Sequence, residues 1–243
     1  MGQVQVSFVI PAYNEEFFIE DTLDTLDLAV KEKISQYEIV VVDDGSQDKT
    51  FTKVLDYAKR NSHVKVIRYA RNTGKGFAIK TGVMESTGDV VIFVDGDMEI
   101  DLNTISSFVK ALDNADIVIA TKWHPNSSVS MSFSRRLLSR TFNVMVRTLI
   151  GFNLKDTQVV LKVMKRSAVD KIFPSLAVKR YAFDVELLTV AHINNLKIAE
   201  MPIKLNLESS FKPKEMMRMF IDLLGIAYRL RIIHWYQRPH PAV

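Results

Sequence analysis

The residues with the most chemical potential are acids at the ends of apolar runs. Val90 to Asp101 reads VVIFVDGDMEID, with Asp95, Asp97, Glu99 and Asp101 at alternate positions after a buried-looking strand. Carboxylates crowded in this way raise one another's pKa unless a cation or hydrogen-bond donors hold them. Oxygen ligands around a tight Gly turn suit Mg²⁺ or Mn²⁺, shared with substrate phosphates. Asp95, Asp97 and Glu99 are therefore candidate metal ligands, although Asp-x-Asp by itself is equally a solvated turn or a helix cap. A second acidic pair, Asp43-Asp44, follows the run Ile39 to Val42. Asp44-Gly45-Ser46 reads as a turn that caps the next helix. A carboxylate there can also accept from a nucleobase N–H or a ribose hydroxyl. Asn72-Thr73-Gly74-Lys75-Gly76 is a Gly-rich turn without the spacing of a Walker phosphate loop.

Short apolar runs alternating with amphipathic segments must position these groups, which predicts βαβ units and a mostly parallel sheet. The expected strands are Val4 to Ile10, Tyr37 to Val42, Val64 to Tyr69, Val90 to Val94 and Ile117 to Thr121. Ile19, Leu23, Leu26 and Val30 repeat at helical spacing, with Asn14 as the expected N-cap. Phe51, Val54, Leu55 and Ala58 form the expected face of a second helix, and a third runs from about Lys75 to Ser86. In open sheets of this class ligands collect beyond the carboxyl ends of the strands. The loops after the first four strands should therefore rim one crevice. Past residue 121 the alternation decays into a basic helix from about Ser134 to Ile150, strands at Gln158 to Met164 and Ile198 to Leu205, and a helix around Asp184 to His192.

Composition narrows the chemistry. The chain of 243 residues has no cysteine, which removes disulfides, thiolate nucleophiles and Cys-ligated metals. The net charge of +4 conceals a segregation: residues 1–121 carry 12 Lys and Arg against 20 Asp and Glu, and residues 122–180 carry 12 against 2. The basic stretch has no zinc-finger spacing, RNP signature or helix-turn-helix, so nucleic acid is not the expected partner. No stretch is long and apolar enough for a transmembrane helix, and no signal peptide is evident. The expectation is a cytosolic protein.

PAYNE, DDGS, NTGKG and DGD, in that order and spacing, resemble the GT-A fold of the family 2 inverting glycosyltransferases. DTQVVLKVMKR at Asp156 to Arg166, YAFDVELL at Tyr181 to Leu188 and AEMPIKLNLESSFKP at Ala199 to Pro213 resemble the dolichyl-phosphate glucosyltransferases and mannose synthases. The resemblance implies an α/β fold with a mostly parallel central sheet flanked by helices and C-terminal amphipathic helices. Residues 1–211 would form the catalytic domain, with a nucleotide-sugar and metal half at 1–121 and an acceptor half at 122–211. Residues 212–243 would form a basic C-terminal helix. The resemblance further implies that Pro11, Ala12, Tyr13 and Glu15 line the nucleobase pocket, with Asp43 and Asp44 holding base and ribose and Lys75 beside the nucleotide. Asp95, Asp97 and Glu99 fall at the family's metal positions. Asp97 and Asp156 carry the expected catalytic roles, Asp156 as base or acceptor-orienting group, with a structural cap as its alternative. Lys122 stands where the family has arginine, DTQ is followed by Val159, Val160 and Leu161 in place of a small residue and Gly-Phe, and the acceptor loop reads Ser210-Phe211-Lys212.

The implied reaction is a Mg²⁺- or Mn²⁺-dependent inverting transfer of a hexose, glucose before mannose, from UDP-glucose or GDP-mannose to polyprenyl or dolichyl phosphate. Lys122, Arg135, Arg136, Arg140 and Lys212 are the candidates to gather the acceptor phosphate, each alternatively a solvated cation. The Phe133, Leu137, Leu138 and Phe142 stripe is expected in the core, with membrane contact as its alternative. Residues 214–237 are too interrupted by charge to cross a bilayer. They suit either an interfacial helix on the cytosolic membrane face or a helix packed on the domain. The rival readings are a family 2 transferase acting on another glycolipid or a soluble sugar, and a non-catalytic nucleotide-sugar binding module.

Overall fold

The structure, a computed structural model, describes residues 5–94, 104–151, 156, 161–180, 182–207 and 213–240, without the side chains of 206, 207 and 213–215. The first half runs β1 (Val6–Ala12), α1 (Ile19–Lys31), β2 (Tyr37–Asp43), α2 (Thr50–Arg60), β3 (Val64–Arg68), α3 (Lys75–Met84) and β4 (Val90–Phe93). It continues through α4 (Ile105–Ala111), β5 (Ile117–Thr121), β6 (Ser128–Met131), α5 (Phe133–Ile150), β7 (Lys162–Lys165), α6 (Arg166–Ile172) and α7 (Phe183–Ile193). The chain closes with β8 (Ile198–Pro202), β9 (Lys204–Leu207) and α8 (Pro213–Arg231).

Seven strands form one sheet in the order β3-β2-β1-β4-β7-β5-β8, and β6 pairs with β9 in a second. β7 runs antiparallel to β4 and β5, and the other pairings of the large sheet are parallel. Strands covered on both faces are apolar throughout, as in the fully buried Ile39 to Val42. The chain leaves β1 toward β2 and β3, then returns to add β4 on β1's other side. This reversal opens a crevice beyond the carboxyl ends of β1 and β4. The mostly parallel sheet with flanking helices agrees with the GT-A expectation.

Several local expectations are corrected. Asn14 does not cap α1. It sits at φ 57°, and its Oδ1 accepts from the Gln47 amide at 2.9 Å. Helix α1 starts later, at Ile19, after Phe18 and Ile19 donate to the Glu15 carbonyl. A tertiary partner has outcompeted the local cap. In α2 the buried face is Thr50, Val54 and Tyr57, and Leu55 is exposed. The Tyr57 hydroxyl reaches Asp24 on α1 at 2.8 Å, which turns that face inward. The single strand expected over Ile198 to Leu205 breaks into β8 and β9. Pro202 ends the edge strand β8, and Ile203 exchanges hydrogen bonds with Ser127 and Ser128 instead. The expected core stripe of α5 holds only in part: Phe142 packs half-buried against the core and Leu138 is half-buried, but Phe133 and Leu137 are exposed, and the buried positions are Ser139, Asn143, Val146 and Ile150. Helix α8 packs against α5 with Met219, Leu223 and Ile226 buried. Among the described residues no helix is long and apolar enough to cross a membrane.

Candidate active site

The loops after β1 and β2 are zipped together by their own polar groups. The Asn14 amide donates to Ser46 Oγ at 3.0 Å, the Glu15 amide to Thr50 Oγ1 at 2.8 Å and the Glu16 amide to Asp48 Oδ2 at 3.1 Å. In return Glu16 Oε2 accepts from the Lys49 amide at 3.1 Å. This fixes Pro11 to Glu15 against the Asp43 to Ser46 turn. Ala12 is buried, Pro11 and Glu15 are half-buried, and Tyr13 is 42% exposed, which leaves its ring available as a stacking surface at the crevice.

The two acids after β2 divide their tasks. Asp44 is buried, and its carboxylate accepts from the Thr73 amide at 2.7 Å on one oxygen and the Gly74 amide at 2.8 Å on the other. Burial raises its pKa, the two amide hydrogen bonds pull it back, and the neighbouring Asp43 charge adds to the rise. Asp44 thus holds the loop after β3. Gly45, at φ 74°, makes this approach possible, since a Cβ there would meet Arg71 backbone at 2.6 Å. Asp43 is fully buried, with Oδ1 accepting from the Ser46 amide at 3.2 Å. Its Oδ2 lies 3.1 Å from Arg68 Nε, but the pair lacks the alignment of a hydrogen bond, so this buried oxygen keeps an open acceptor direction. The sequence expectation treated the acids alike. The geometry leaves Asp43 with that open acceptor and gives each Asp44 oxygen a backbone partner.

Lys75 begins α3 and is half-buried. Strand β4 delivers the chain to the same crevice: buried Val94 donates its amide to the Val9 carbonyl at 3.2 Å. Asp95, Asp97, Glu99 and Lys212 lie outside the described residues. Among the described residues no group of three or more His, Cys, Asp or Glu gathers as a metal site. The donor set expected after β4 is all carboxylate, which fits a hard divalent cation.

Across the sheet, Lys122 follows β5 and is nearly buried. Its Nζ lies 3.1 Å from Asp156 Oδ2, and its amide donates to the same oxygen at 3.1 Å. Asp156 is 1% exposed. The structure therefore joins two residues expected in separate roles. Arg135 is half-buried, and Arg136 and Arg140 are exposed on α5. The Arg140 guanidinium carbon stands 5.2 Å from the Trp123 ring centroid, a cation–π contact that orients it toward the Lys122 loop.

Sequence reasoning missed the support behind these loops. Lys162 and Asp184 form a buried ion pair at 3.0 Å. Glu186, fully buried on α7, accepts from the Ala177 and Val178 amides and from the Tyr236 hydroxyl. The available signal was an acid inside the apolar helical run Phe183 to Ala191, because a buried acid must be paired.

The family model described as glycosyl transferase family 2 matches residues 7–173. A dolichyl-phosphate beta-glucosyltransferase of Trichomonas vaginalis is 35% identical over 247 aligned positions, covering 95% of this chain and 76% of that protein. The enzyme of the same name from Dictyostelium discoideum is 33% identical over 218 positions, covering 84% of this chain and 67% of its own length. The one from Saccharomyces cerevisiae is 29% identical over 252 positions, covering 95% and 74%. Among solved structures, glucosyl-3-phosphoglycerate synthase from Mycobacterium tuberculosis, in complex with Mn²⁺, UDP-glucose and phosphoglyceric acid, shares the fold. Its TM-score is 0.70 at 20% identity, covering 98% of this chain and 81% of that one. The match to the family runs from β1 to the residue that follows α6, taking in the loops that rim the crevice, and the chain belongs to glycosyl transferase family 2.

Proposed function

We propose that this glycosyltransferase moves glucose from UDP-glucose to a polyprenyl phosphate of the dolichyl type. The observation that carries the reading is the division of the site. The crevice at the switch point of the sheet, with Asp43 and Asp44 at its rim, faces the nucleotide-sugar, and α5, bearing Arg135, Arg136 and Arg140, meets the loop after β5 through the contact of Arg140 with Trp123 and receives an anion. The names of the relatives support glucose and a dolichyl phosphate acceptor over other pairs.

The reaction forms a bond between an acceptor phosphate oxygen and the sugar C1, and breaks the bond from C1 to the nucleoside diphosphate. A phosphate monoester's second pKa is about 6, so the nucleophile is ionised at neutral pH and needs no strong base. Positioning is then the main task of this chain. Tyr13 and Asp43 orient the nucleotide, Asp44 and Gly74 fix the loop carrying Lys75, and the α5 arginines hold the acceptor phosphate. Asp95, Asp97 and Glu99 would hold Mg²⁺ or Mn²⁺, which when bound supplies neutralisation of the departing diphosphate.

The acceptor implies a membrane surface, taken as its cytosolic face, and the exposed apolar side of α8 supports peripheral attachment. Helix α8 leaves Met217, Ile221, Leu224 and Tyr228 exposed, as is Ile232 just after it, and α5, against which it packs, leaves Leu137 and Val144 exposed. The test is to offer radiolabelled UDP-glucose, GDP-mannose and UDP-N-acetylglucosamine with polyprenyl phosphate in membranes and to extract the lipid product. Labelled lipid from UDP-glucose is the expected result. Lipid labelled only from another donor overturns the sugar assignment, and donor consumption without lipid product overturns the acceptor.

A further inference from the structure

Residues 176–179 cross from the short turn Phe173–Ser175 after α6 toward α7 without regular structure, and other elements hold several backbone groups of this stretch and of Ser175. The Ser175 carbonyl accepts from Trp235 Nε1 at 2.8 Å, and the Leu176 carbonyl from Lys80 Nζ on α3 at 3.2 Å. The Ala177 and Val178 amides donate to Glu186 Oε2 at 2.9 and 2.7 Å. The Lys179 carbonyl accepts from the Gly76 amide at 2.9 Å and, at 3.3 Å, shares the Phe77 amide with the Gly74 carbonyl at 3.0 Å. Those two amides belong to the first turn of α3, where a helix lacks internal acceptors. The strap therefore caps the helix that begins with Lys75. It lies so close that a Cβ on Gly74 would stand 2.3 Å from the Lys179 carbonyl oxygen.

The other oxygen of Glu186 looks toward the end of the chain. Oε1 accepts from the Tyr236 hydroxyl at 2.5 Å and lies 3.3 Å from an Arg229 guanidinium nitrogen, and Arg229 Nε donates to the Tyr236 hydroxyl at 3.0 Å. One buried carboxylate is shared between the strap over α3 and the segment at the end of α8. Removing either pair of donors leaves Glu186 partly unsatisfied in the interior, which is strongly unfavourable for a charged group.

We propose that Glu186 is a positioning residue for the donor site, and that Tyr236 and Arg229 act through it, so that nucleotide affinity depends on the seated C-terminal segment. This rests on the donor reading of the Asn72 to Gly76 loop. The path is continuous: Tyr236 to Glu186, Glu186 to Ala177 and Val178, Lys179 to Gly76 and Phe77, and Gly74 to Asp44. It also links α8, which the acceptor reading places against the membrane, to the loop that contacts the sugar donor.

The test uses the full chain with Tyr236→Phe, which keeps the ring and removes the hydroxyl, and UDP as the probe. The expected result is a UDP Kd and a donor KM raised roughly fivefold or more. Turnover and acceptor KM should stay within about twofold, while exchange of the Gly76, Phe77, Ala177 and Val178 amides accelerates. Tyr37→Phe serves as the comparison, since it removes a 2.7 Å hydroxyl bond to Asp27 at the opposite end of the sheet. It should lower stability without changing the UDP Kd. Glu186→Gln should exceed Tyr236→Phe in its effect on UDP. An unchanged UDP Kd in Tyr236→Phe, or unchanged exchange at Gly76 and Phe77, overturns the inference. A wild-type protein that binds no UDP instead sinks the donor reading, and the exchange comparison still decides whether Glu186 couples the C-terminal segment to α3.

Discussion

Replacing Asp44 separates two roles that a carboxylate at this position can play. In the structure its oxygens accept the Thr73 and Gly74 amides at 2.7 and 2.8 Å in a buried setting. Hydrogen bonds to a charged acceptor contribute about 1.5–3 kcal/mol each, and loss of both in Asp44→Ala is partly offset by water entering the turn, leaving about 2–3 kcal/mol. If the loop must then be ordered when nucleotide binds, that energy appears as roughly 30- to 150-fold weaker UDP binding. Asp44→Asn keeps one acceptor, turns an amide donor toward the other N–H, and should lose about half of that energy, or roughly 5- to 15-fold. Calorimetric titration with UDP gives the affinity, and amide exchange at Thr73 and Gly74 gives the loop. Asp44 has a folded pKa raised by burial, so its ionisation costs stability as pH rises from its unfolded value of about 3.9. Stability gains a contribution as pH falls through that window, and Asp44→Asn should lack this slope. A variant that loses UDP affinity with unchanged amide exchange would refute the loop-holding argument and assign Asp44 to direct contact with the nucleotide.

Asp97→Ala should abolish transfer while leaving the thermal transition within a few degrees of wild type, as checked by product extraction in Mn²⁺ or Mg²⁺ and by calorimetry; wild-type turnover would remove the metal role. Arg135→Ala with Arg136→Ala should raise the KM for polyprenyl phosphate at unchanged UDP affinity, and equal weakening of both would move these arginines to the diphosphate. Vesicles containing anionic lipid should bind the full chain and release much of it at high salt, because surface cations contribute about 1 kcal/mol each and are screened within about 8 Å at physiological ionic strength. Substituting Ile221 and Leu224 with Ser on the exposed side of α8 should weaken that binding, and undiminished sedimentation would show that this face does not meet lipid.

The inner strands β1, β2 and β4 of the parallel half were legible because they are largely buried on both faces and carry apolar runs such as Ile39 to Val42. Helix α1 was legible because Ile19, Leu23, Leu26 and Val30 repeat on one face, and all four are buried. What escaped were features set by partners distant in sequence. Asn14 has the chemistry of an N-cap, but Gln47 and Ser46 claim it. Ser139 and Asn143 look like solvent-facing residues, yet they lie on the buried side of α5, and Phe133 and Leu137 are left outside. A periodicity argument assigns the whole apolar stripe to the core; Phe142 does pack there, and Phe133 and Leu137 near the start of the helix do not. The carboxylates after β2 were legible as a cluster. Their division into a loop-holding Asp44 and a more open Asp43 was not, because it depends on how closely Gly45 lets the Arg71 to Gly74 turn approach.

The pairing of Lys122 with Asp156 changes how the acceptor side is read. An acceptor phosphate that is already ionised gives Asp156 no proton to remove, and Asp156 Oδ2 instead receives both the Lys122 amide and its ammonium. A cation neutralised by its own buried carboxylate attracts a second anion less than a free one does. Under the proposed reading Lys122 then fixes the loop after β5, and acceptor capture falls to the arginines of α5. Arg136 and Arg140 are exposed, and the contact of Arg140 with Trp123 holds one of them beside that loop. Arginine suits this task, since its planar fork binds phosphate in two places and stacks on an aromatic face. Asp156→Asn should therefore leave acceptor affinity nearly intact and destabilise the fold through the Lys122 charge it strands. Arg140→Lys, which keeps the charge and loses the fork, should weaken acceptor binding more than Asp156→Asn does. The reverse ranking of acceptor KM values would return Lys122 and Asp156 to the centre of acceptor recognition.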